Sequence, residues 1–178
     1  MELKAQLLNE ADIARILKRI SHQILEKNRG TDDLCLIGIK SRGVPIAQRL
    51  ASNIFEIDNN KVEVGELDIT HYRDDIKKEE LSPILNSTKV DFDVTGKTVV
   101  LVDDVIHTGR TARAALDAVL DLGRPAKIQL CVLIDRGHSE LPIKANFVGK
   151  NIPTSLDEAV AVRIEEYDGE NSVAIYTK

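Results

Sequence analysis

The sequence predicts an α/β fold: a central, mostly parallel sheet flanked by helices. Apolar, β-branched runs alternate along the chain with segments of helical periodicity, an order typical of parallel sheets. The runs Leu34–Ile39, Val99–Val102 and Ile128–Ile134 are almost wholly apolar, as strands buried on both faces are. The 178 residues suit one domain, 1–178, with a sizeable core.

The composition excludes several classes of protein. Hydrophobic residues make up 43% of the chain and charged residues 30%, which is ordinary for a globular domain. The chain lacks a stretch of about 20 apolar residues, as a membrane span needs, and the first residues lack a secretory signal pattern. With a net charge of −5, any contact with nucleic acid must come from a local basic patch. Cys35 and Cys131 lie in apolar runs, so we expect reduced core residues in a cytoplasmic protein.

The first predicted helix covers Asn9–Asn28, with Asn9 as the N-cap and Gly30 just past the end. One face is apolar and contains Ile13, Ile16, Leu17, Ile20 and Ile24. The opposite face is basic and contains Arg15, Lys18, Arg19 and His22. A solvated face of an amphipathic helix is the plainer interpretation of this stripe, and a surface for an anionic partner is the alternative.

The strand Leu34–Ile39 runs into a tight loop, Gly38–Gly43, and a helix is predicted from Val44 onwards. Lys40 and Arg42 lie between the two glycines, directly before a helix N-terminus. This arrangement can hold an anion, although an exposed strand–helix turn has the same pattern.

A further strand is predicted over Val62–Ile69, where apolar and polar residues alternate. The polar segment His71–Ser87 follows and contains Arg73 among acidic residues. A loop of this length usually indicates function or disorder.

The most informative stretch is Thr98–Thr111. The central strand Val99–Asp104 ends in two carboxylates, and a turn, Thr108–Thr111, opens the helix Arg110–Leu122. The turn can aim backbone N–H groups and two hydroxyls at an anion beside the helix N-terminus. Adjacent carboxylates suit sugar hydroxyls or a hydrated Mg²⁺. One loop could therefore hold a ribose and its 5′-phosphate, whereas a buried strand with a capped turn is the structural alternative.

The remaining strands are predicted over Ile128–Ile134, Phe147–Gly149, Ala159–Glu165 and Ser172–Tyr176. The first of them ends in Asp135–His138, on the same carboxyl edge as the central strand. Ligands of open α/β sheets bind at this edge.

The stretch Val99–Thr111 resembles the signature of the type I phosphoribosyltransferases, which bind 5-phosphoribosyl-1-pyrophosphate (PRPP). Four more segments resemble a bifunctional branch of that family, which joins uracil phosphoribosyltransferase activity to RNA-dependent control of pyrimidine operons. These segments are Gly38–Gly43, Tyr72–Asp75, Asp135–His138 and Gly149–Ser155. The resemblance covers nearly the whole chain in order. It implies a core of about 30–135, a flexible loop at about 70–88 that closes over the substrate, and a small hood formed by about 1–10 and 136–178.

The resemblance also implies roles for individual residues. A PRPP site would comprise Lys40, Ser41, Arg42, Asp103, Asp104, Val105, Ile106, His107, Thr108, Gly109, Arg110 and Thr111. The catalytic set would be Asp103, Asp104, Arg73 and His107. Arg136 and the backbone near Val160 would contact the base. Mg²⁺ would be held mainly by PRPP and water, without a dedicated metal site in the protein. The Gly38–Gly43 loop would contain a non-proline cis peptide bond.

His107 departs from the family, because close relatives usually carry a tyrosine there. An imidazole has a pKa near ~6.5 and could accept the uracil N1 proton. A solvent-facing substitute for the tyrosine ring is the alternative, and the plainer one.

For the second activity, the resemblance implies binding of a hairpin in the leader mRNA of the pyrimidine operon when UMP is abundant, which promotes transcription termination and so attenuates the operon. UMP and UTP are both expected ligands, and the sequence does not rank them. The candidate surface comprises Lys18, Arg19, His22, Lys27, His138, Lys144 and Lys150. Ser139 replaces an arginine that is usual in the family, which weakens the expectation for RNA affinity. Two rivals remain: a salvage phosphoribosyltransferase without RNA regulation and a non-catalytic PRPP or nucleotide sensor. We also expect a homodimer or a larger homo-oligomer.

Overall fold

The computed structural model describes residues 2–74 and 87–177. Its central sheet has the strand order β3-β2-β4-β5-β6, and every neighbouring pair is parallel. The strands are β2 Leu34–Ile39, β3 Glu63–Leu67, β4 Thr98–Ile106, β5 Lys127–Asp135 and β6 Phe147–Asn151. This architecture confirms the predicted fold class.

Three helices cover the two faces of the central sheet. They are α1 Glu10–Asn28, α2 Gly43–Asp58 and α3 Arg110–Leu122. Apolar residues of α1 and α2 pack with Leu36 and Val100 on one face, and those of α3 pack with Ile37 and Leu101 on the other. Successive strand residues thus enter opposite cores, which explains why the strand sequences are continuously apolar.

A second sheet forms the hood. It is antiparallel in the order β1-β8-β7, and its strands are β1 Glu2–Leu8, β7 Glu158–Arg163 and β8 Ser172–Thr177. A single-turn helix, α4 Glu165–Asp168, connects β7 to β8. The two end segments of the chain therefore pack together, as expected.

The predicted limits of the hood need one correction. Strand β6 lies within the segment 136–178 that was expected to form the hood, but it pairs with β5 in the central sheet, with Lys150 opposite Ile134. The sequence does not reveal this because backbone pairing, rather than composition, decides which sheet a short strand joins.

Other element limits differ by a few residues. Asn9 forms the predicted N-cap of α1 and shares a capping box with Asp12. Strand β4 extends to Ile106, two residues beyond its predicted end, and β7 ends at Arg163 because α4 begins at Glu165. The predicted loop over 70–88 is described at its two ends; residues 75–86 lie outside the described ranges.

Two glycines let the β2–α2 loop lie directly against the sheet. A Cβ at Gly43 would lie 2.3 Å from the carbonyl oxygen of Val102, and one at Gly38 would lie 2.5 Å from the Cα of Val44. The peptide bond Lys40–Ser41 is cis, as the resemblance implies. Close backbone approach therefore brings this loop beside the end of β4.

No helix in residues 2–74 and 87–177 is long and apolar enough to cross a membrane.

Candidate active site

A cleft runs along the carboxyl edge of the central sheet, between the segments that follow β2, β3 and β4. It contains two adjoining cavities of about 340 Å³ and about 500 Å³. Both cavities are lined by Arg73, Asp103, Val105 and Thr111. The structure therefore joins the two segments that the sequence predicted to hold anions.

The smaller cavity is built around the β4–α3 turn. Gly109 has a φ of 91°, a left-handed conformation that glycine adopts without a Cβ penalty. Helix α3 starts at Arg110, and the first N–H groups of a helix have no intrahelical acceptor. The carbonyl of Thr108 accepts hydrogen bonds from the N–H groups of Glu140 (2.9 Å) and Leu141 (3.3 Å). The N–H of Arg110 donates a long hydrogen bond to the hydroxyl of Thr108 (3.4 Å). The turn is thus fixed by contacts on both sides, and its residues line the smaller cavity.

Of the two carboxylates, Asp103 lines both cavities and Asp104 lines the larger one. Asp103 Oδ1 accepts a hydrogen bond from the N–H of Asp104 (2.9 Å), and Asp104 Oδ1 accepts one from the N–H of Val105 (2.8 Å). Burial and the neighbouring charge of Asp104 raise the pKa of Asp103. Such a pair offers acceptors to two neighbouring hydroxyl groups.

The β2–α2 loop brings Lys40, Ser41 and Arg42 to the larger cavity. Lys40 Nζ donates to the carbonyl of Ser87 (2.6 Å) and lies 3.3 Å from a carboxylate oxygen of Glu66. Arg42 forms a bidentate ion pair with Asp168 of α4. The predicted second anion site therefore faces the acid pair across one cavity.

Sequence reasoning missed Asp68, which also lines the larger cavity. Its carboxylate accepts hydrogen bonds from the N–H (3.0 Å) and hydroxyl (2.6 Å) of Thr70 and from the N–H (3.3 Å) and hydroxyl (2.6 Å) of Ser87. Partial burial raises the pKa of Asp68, but these hydrogen bonds outweigh it and hold that pKa well below its ordinary value. The Asp68-x-Thr70 spacing indicates a local turn, whereas the contact with Ser87 has no signal in the sequence.

Two arginines lie at the cleft. Arg73 is exposed and lines both cavities. Arg110 lines the smaller one, and its side chain binds the carboxylates of Asp74 (2.7 Å) and Glu140 (3.0 Å). The guanidinium of Arg110 is therefore paired with carboxylates of the protein.

His107 is exposed and lines the smaller cavity. Its ring lies edge-on to that of His138, with 6.0 Å between the centroids. His138 Nε2 is 2.6 Å from the carbonyl oxygen of Thr154. The structure thus places His138 beside the cleft, although the sequence grouped it with the basic residues of α1.

The predicted base-binding residues lie between β5 and the hood. Arg136 is buried, and its guanidinium donates to the hydroxyl of Thr154 (3.3 Å) and the carbonyl of Glu158 (2.8 Å). Val160 is half-buried in β7. Neither residue is among those lining the two cavities. Arg136 ties the end of β5 to the start of β7, and a contact with a base stays a prediction for both residues.

The predicted RNA-binding residues divide into separate groups. Arg19 donates to the carbonyls of Val148 and Gly149 in β6, and Lys27 Nζ lies 5.9 Å from the ring centroid of Phe147. His22 lies on α1, Lys144 in the segment before β6, and Lys150 on β6; all three are exposed. Lys18 instead pairs with Glu56 of α2 at 2.8 Å. Helix α1 and strand β6 therefore share a basic surface, defined as Arg19, His22, Lys27 and Lys150. Lys18 and His138 stand apart from it, and so does Lys144, which lines a cavity with Leu116 of α3 on the other face of the sheet.

Comparison with known proteins identifies the family. The phosphoribosyl transferase domain model matches residues 4–166. The chain is 57% identical over 172 residues to the bifunctional protein PyrR of Clostridioides difficile, with 97% of each chain covered. It is 55% identical over 178 residues to the PyrR protein of Thermus aquaticus, with 100% of this chain and 98% of the relative covered.

Solved structures agree in fold. The hypoxanthine phosphoribosyltransferase of Trypanosoma cruzi superposes with a TM-score of 0.75 at 18% identity, covering 98% of this chain and 97% of that one. The Staphylococcus aureus enzyme gives a TM-score of 0.71 at 22% identity, covering 99% and 94%. Identities this low establish the fold and carry no information about the base. Together with the near-full-length similarity to PyrR, the cleft and its two loops place this chain in the phosphoribosyltransferase family, among the bifunctional PyrR proteins.

Proposed function

We propose that this protein transfers the phosphoribosyl group of PRPP to uracil, giving UMP and pyrophosphate, and regulates pyrimidine genes by binding leader RNA when UMP is bound. One observation carries the first activity: the β4–α3 turn, a carboxylate pair and a cationic loop surround one cleft. The similarity to bifunctional PyrR proteins along the whole chain supports the second.

The proposed reaction is a displacement at the anomeric carbon of the ribose. The bond from this carbon to the pyrophosphate oxygen breaks, a bond to uracil N1 forms, and the N1 proton leaves. Positive charge develops on the ribose ring, where Asp103 and Asp104 would hold the hydroxyls and stabilise that charge. The turn Thr108–Thr111 would anchor the 5′-phosphate. Lys40, Arg42 and Arg73 would balance the charge of the leaving pyrophosphate.

The cleft fits a magnesium ion that arrives with PRPP. Among the residues that the structure describes, no group of three or more His, Cys, Asp or Glu side chains could hold a metal, and Asp103 and Asp104 supply two carboxylates. Mg²⁺ keeps several waters and commonly binds one or two carboxylates together with substrate phosphates. Asp103 and Asp104 would help to hold the ion, and the ion would supply neutralisation of the pyrophosphate charge.

A conversion assay tests the enzymatic proposal. Radiolabelled uracil incubated with PRPP and Mg²⁺ should yield labelled UMP, while hypoxanthine and guanine should not react. Conversion of a purine instead of uracil would favour the salvage rival. Binding of PRPP without conversion of any base would favour the non-catalytic sensor.

The RNA proposal is supported by the basic surface along α1 and β6. Because phosphate contacts displace counterions, binding there should weaken steeply with salt. In a filter-binding assay with UMP, we expect the protein's own leader RNA to bind more tightly than an unrelated hairpin. Equal binding of the two RNAs would refute the proposal.

A matched pair of variants locates the RNA surface. Lys150→Gln removes a charge from the basic surface, and Lys18→Gln removes one that already pairs with Glu56. We expect the first substitution to lower both affinity and salt dependence, and the second to change them less. The reverse order would place the RNA on the other flank of α1.

Two further expectations belong to this proposal. The free, buried thiols of Cys35 and Cys131 support a cytoplasmic location, since disulfides are rare there. Assembly into a homodimer or larger oligomer stays a prediction, which sedimentation measurements can test.

A further inference from the structure

Two arginine–carboxylate pairs dock the hood helix α4 onto α2. Arg42, the N-cap residue of α2, donates from Nε (2.9 Å) and Nη2 (2.7 Å) to the two carboxylate oxygens of Asp168. Arg49, two turns further along α2, donates in the same manner to Glu166 at 3.2 Å and 2.7 Å. The two pairs thus have matching chemistry and join the same two elements.

Their surroundings differ. Arg42 lines the larger cavity of the cleft together with Lys40 and Asp104. Arg49 and Glu166 line a separate cavity of about 440 Å³ between α1, α2 and the hood, which contains no residue of the cleft. One pair therefore reaches the proposed pyrophosphate site, and the other serves docking alone.

The Arg42–Asp168 pair leaves part of the guanidinium available. A guanidinium has five N–H donors in a fixed fork, and Asp168 engages Nε and one N–H of Nη2. Within residues 2–74 and 87–177, Arg42 Nη1 donates no hydrogen bond. The carboxylate therefore fixes the plane of the guanidinium and leaves the Nη1 edge for another anion.

Asp168 is suited to remain charged in this role. Its side chain is 18% exposed, and besides Arg42 it accepts a hydrogen bond from the N–H of Ile164 (2.8 Å). These contacts, the one with Arg42 first, lower the pKa of Asp168 to about 2. The orienting charge thus persists across physiological pH.

We propose that Asp168 is a positioning residue that orients Arg42 toward the pyrophosphate of PRPP, so that the hood forms part of the pyrophosphate site. Asp104 is the other carboxylate of the cleft whose charge acts on Arg42. Without Asp168, the guanidinium is drawn toward the acid that is needed for the ribose. The inference rests on the proposed function, since it requires that the cleft binds PRPP.

The test compares Asp168→Asn with Glu166→Gln as the matched control. Titration calorimetry with Mg²⁺ measures binding of PRPP, inorganic pyrophosphate and UMP to each protein. In Asp168→Asn, we expect PRPP and pyrophosphate to bind roughly tenfold more weakly, a loss within the range of one charge-assisted hydrogen bond. UMP lacks the pyrophosphate and should bind as before. Glu166→Gln should leave the binding of all three ligands unchanged.

Other outcomes overturn the inference. Equal weakening of UMP and PRPP by Asp168→Asn, or equal effects of the two substitutions, would assign Asp168 to docking of the hood alone. A tenfold loss that persists when Asp168→Asn is added to an Arg42→Gln background would show that the effect does not pass through Arg42. Wild-type protein that binds no PRPP would instead refute the proposed function itself.

A second variant covers the case in which Asp168→Asn does not fold. Asp168→Glu keeps the charge but moves it by one methylene, so the bidentate ion pair with Arg42 is distorted rather than lost. We expect PRPP binding to weaken by a few-fold, with UMP binding and the melting temperature unchanged. Unchanged PRPP binding in this variant contradicts a positioning role.

Discussion

The β4–α3 and β2–α2 connections leave the same edge of the sheet and face one cleft, yet they are held in place differently. The acid pair of the first is held by adjacent residues, because Asp103 and Asp104 accept backbone N–H groups one residue on. The turn that follows is held by Glu140 and Leu141, which donate to the carbonyl of Thr108. The second depends on distant residues, because Lys40 contacts Leu67 and Ser87 and Arg42 contacts the hood. The acid pair is therefore specified by a short stretch of sequence, whereas the β4–α3 turn and the β2–α2 loop depend on tertiary packing.

The largest effect should follow a change in the locally specified site. We expect Asp104→Asn to lower kcat by at least roughly 100-fold, since preorganised charge at the reacting centre contributes this much in other enzymes. The free energy of unfolding, measured in urea, should stay within about 0.5 kcal/mol of the wild-type value, as expected for a substitution outside the core. The amide oxygen introduced at position 104 can still accept the hydrogen bond from the N–H of Val105. A fall of less than tenfold in the uracil conversion assay would contradict the role of the acid pair.

The glycines of the two connections should respond unequally. Gly43→Ala places a Cβ 2.3 Å from the carbonyl oxygen of Val102. We therefore expect the free energy of unfolding to fall by about 3 kcal/mol, as for strong overpacking. Gly109→Ala has ordinary space, with its nearest contact at 3.5 Å, but it retains a positive φ, which costs about 1–2 kcal/mol. Urea unfolding of both variants measures the difference. Equal losses would mean that the β2–α2 loop can move away from β4.

Acid should weaken the long-range anchor of the β2–α2 connection. The pKa of Asp168 is about 2 in the folded protein against an ordinary value of 3.8, so the folded state binds the proton less readily. The pair therefore stabilises the fold above about pH 4 and loses that contribution as the pH falls toward 2. Because the pair is partly exposed, we expect less than ~1 kcal/mol. The difference in unfolding free energy between wild type and Asp168→Asn should shrink across this range; a constant difference would contradict the assignment.

The smallest effect should come from His107 in the β4–α3 connection. The imidazole is exposed beside His138, and we expect it to serve as a substitute for the family's tyrosine ring. His107→Tyr should therefore keep the rate within about twofold and leave the pH profile unchanged. If the pH–rate profile of wild type showed a transition at pH ~6.5 that His107→Tyr lacks, His107 would instead be identified as the general base.

The sequence predicted those features of the structure that depend on residues close together in the chain. The buried strands, the N-cap Asn9 and the strand–turn–helix of Thr98–Leu122 all appeared where their residue patterns placed them. Strand β1 was not predicted because its residues are mostly exposed and lack a clear alternation. Asp68 and Asp168 were missed for a different reason: their partners lie 19 and 126 residues away, and no local pattern specifies such contacts.

The position of β8 in the middle of the hood has a consequence for synthesis of the chain. β8 pairs with β1 on one side and with β7 on the other, so neither neighbour has its partner before residues 172–177 leave the ribosome. Strands β2 to β6 and their helices precede that point and can assemble as they emerge. In each newly made molecule the central sheet can therefore be complete while the hood sheet still waits for β8 to be translated.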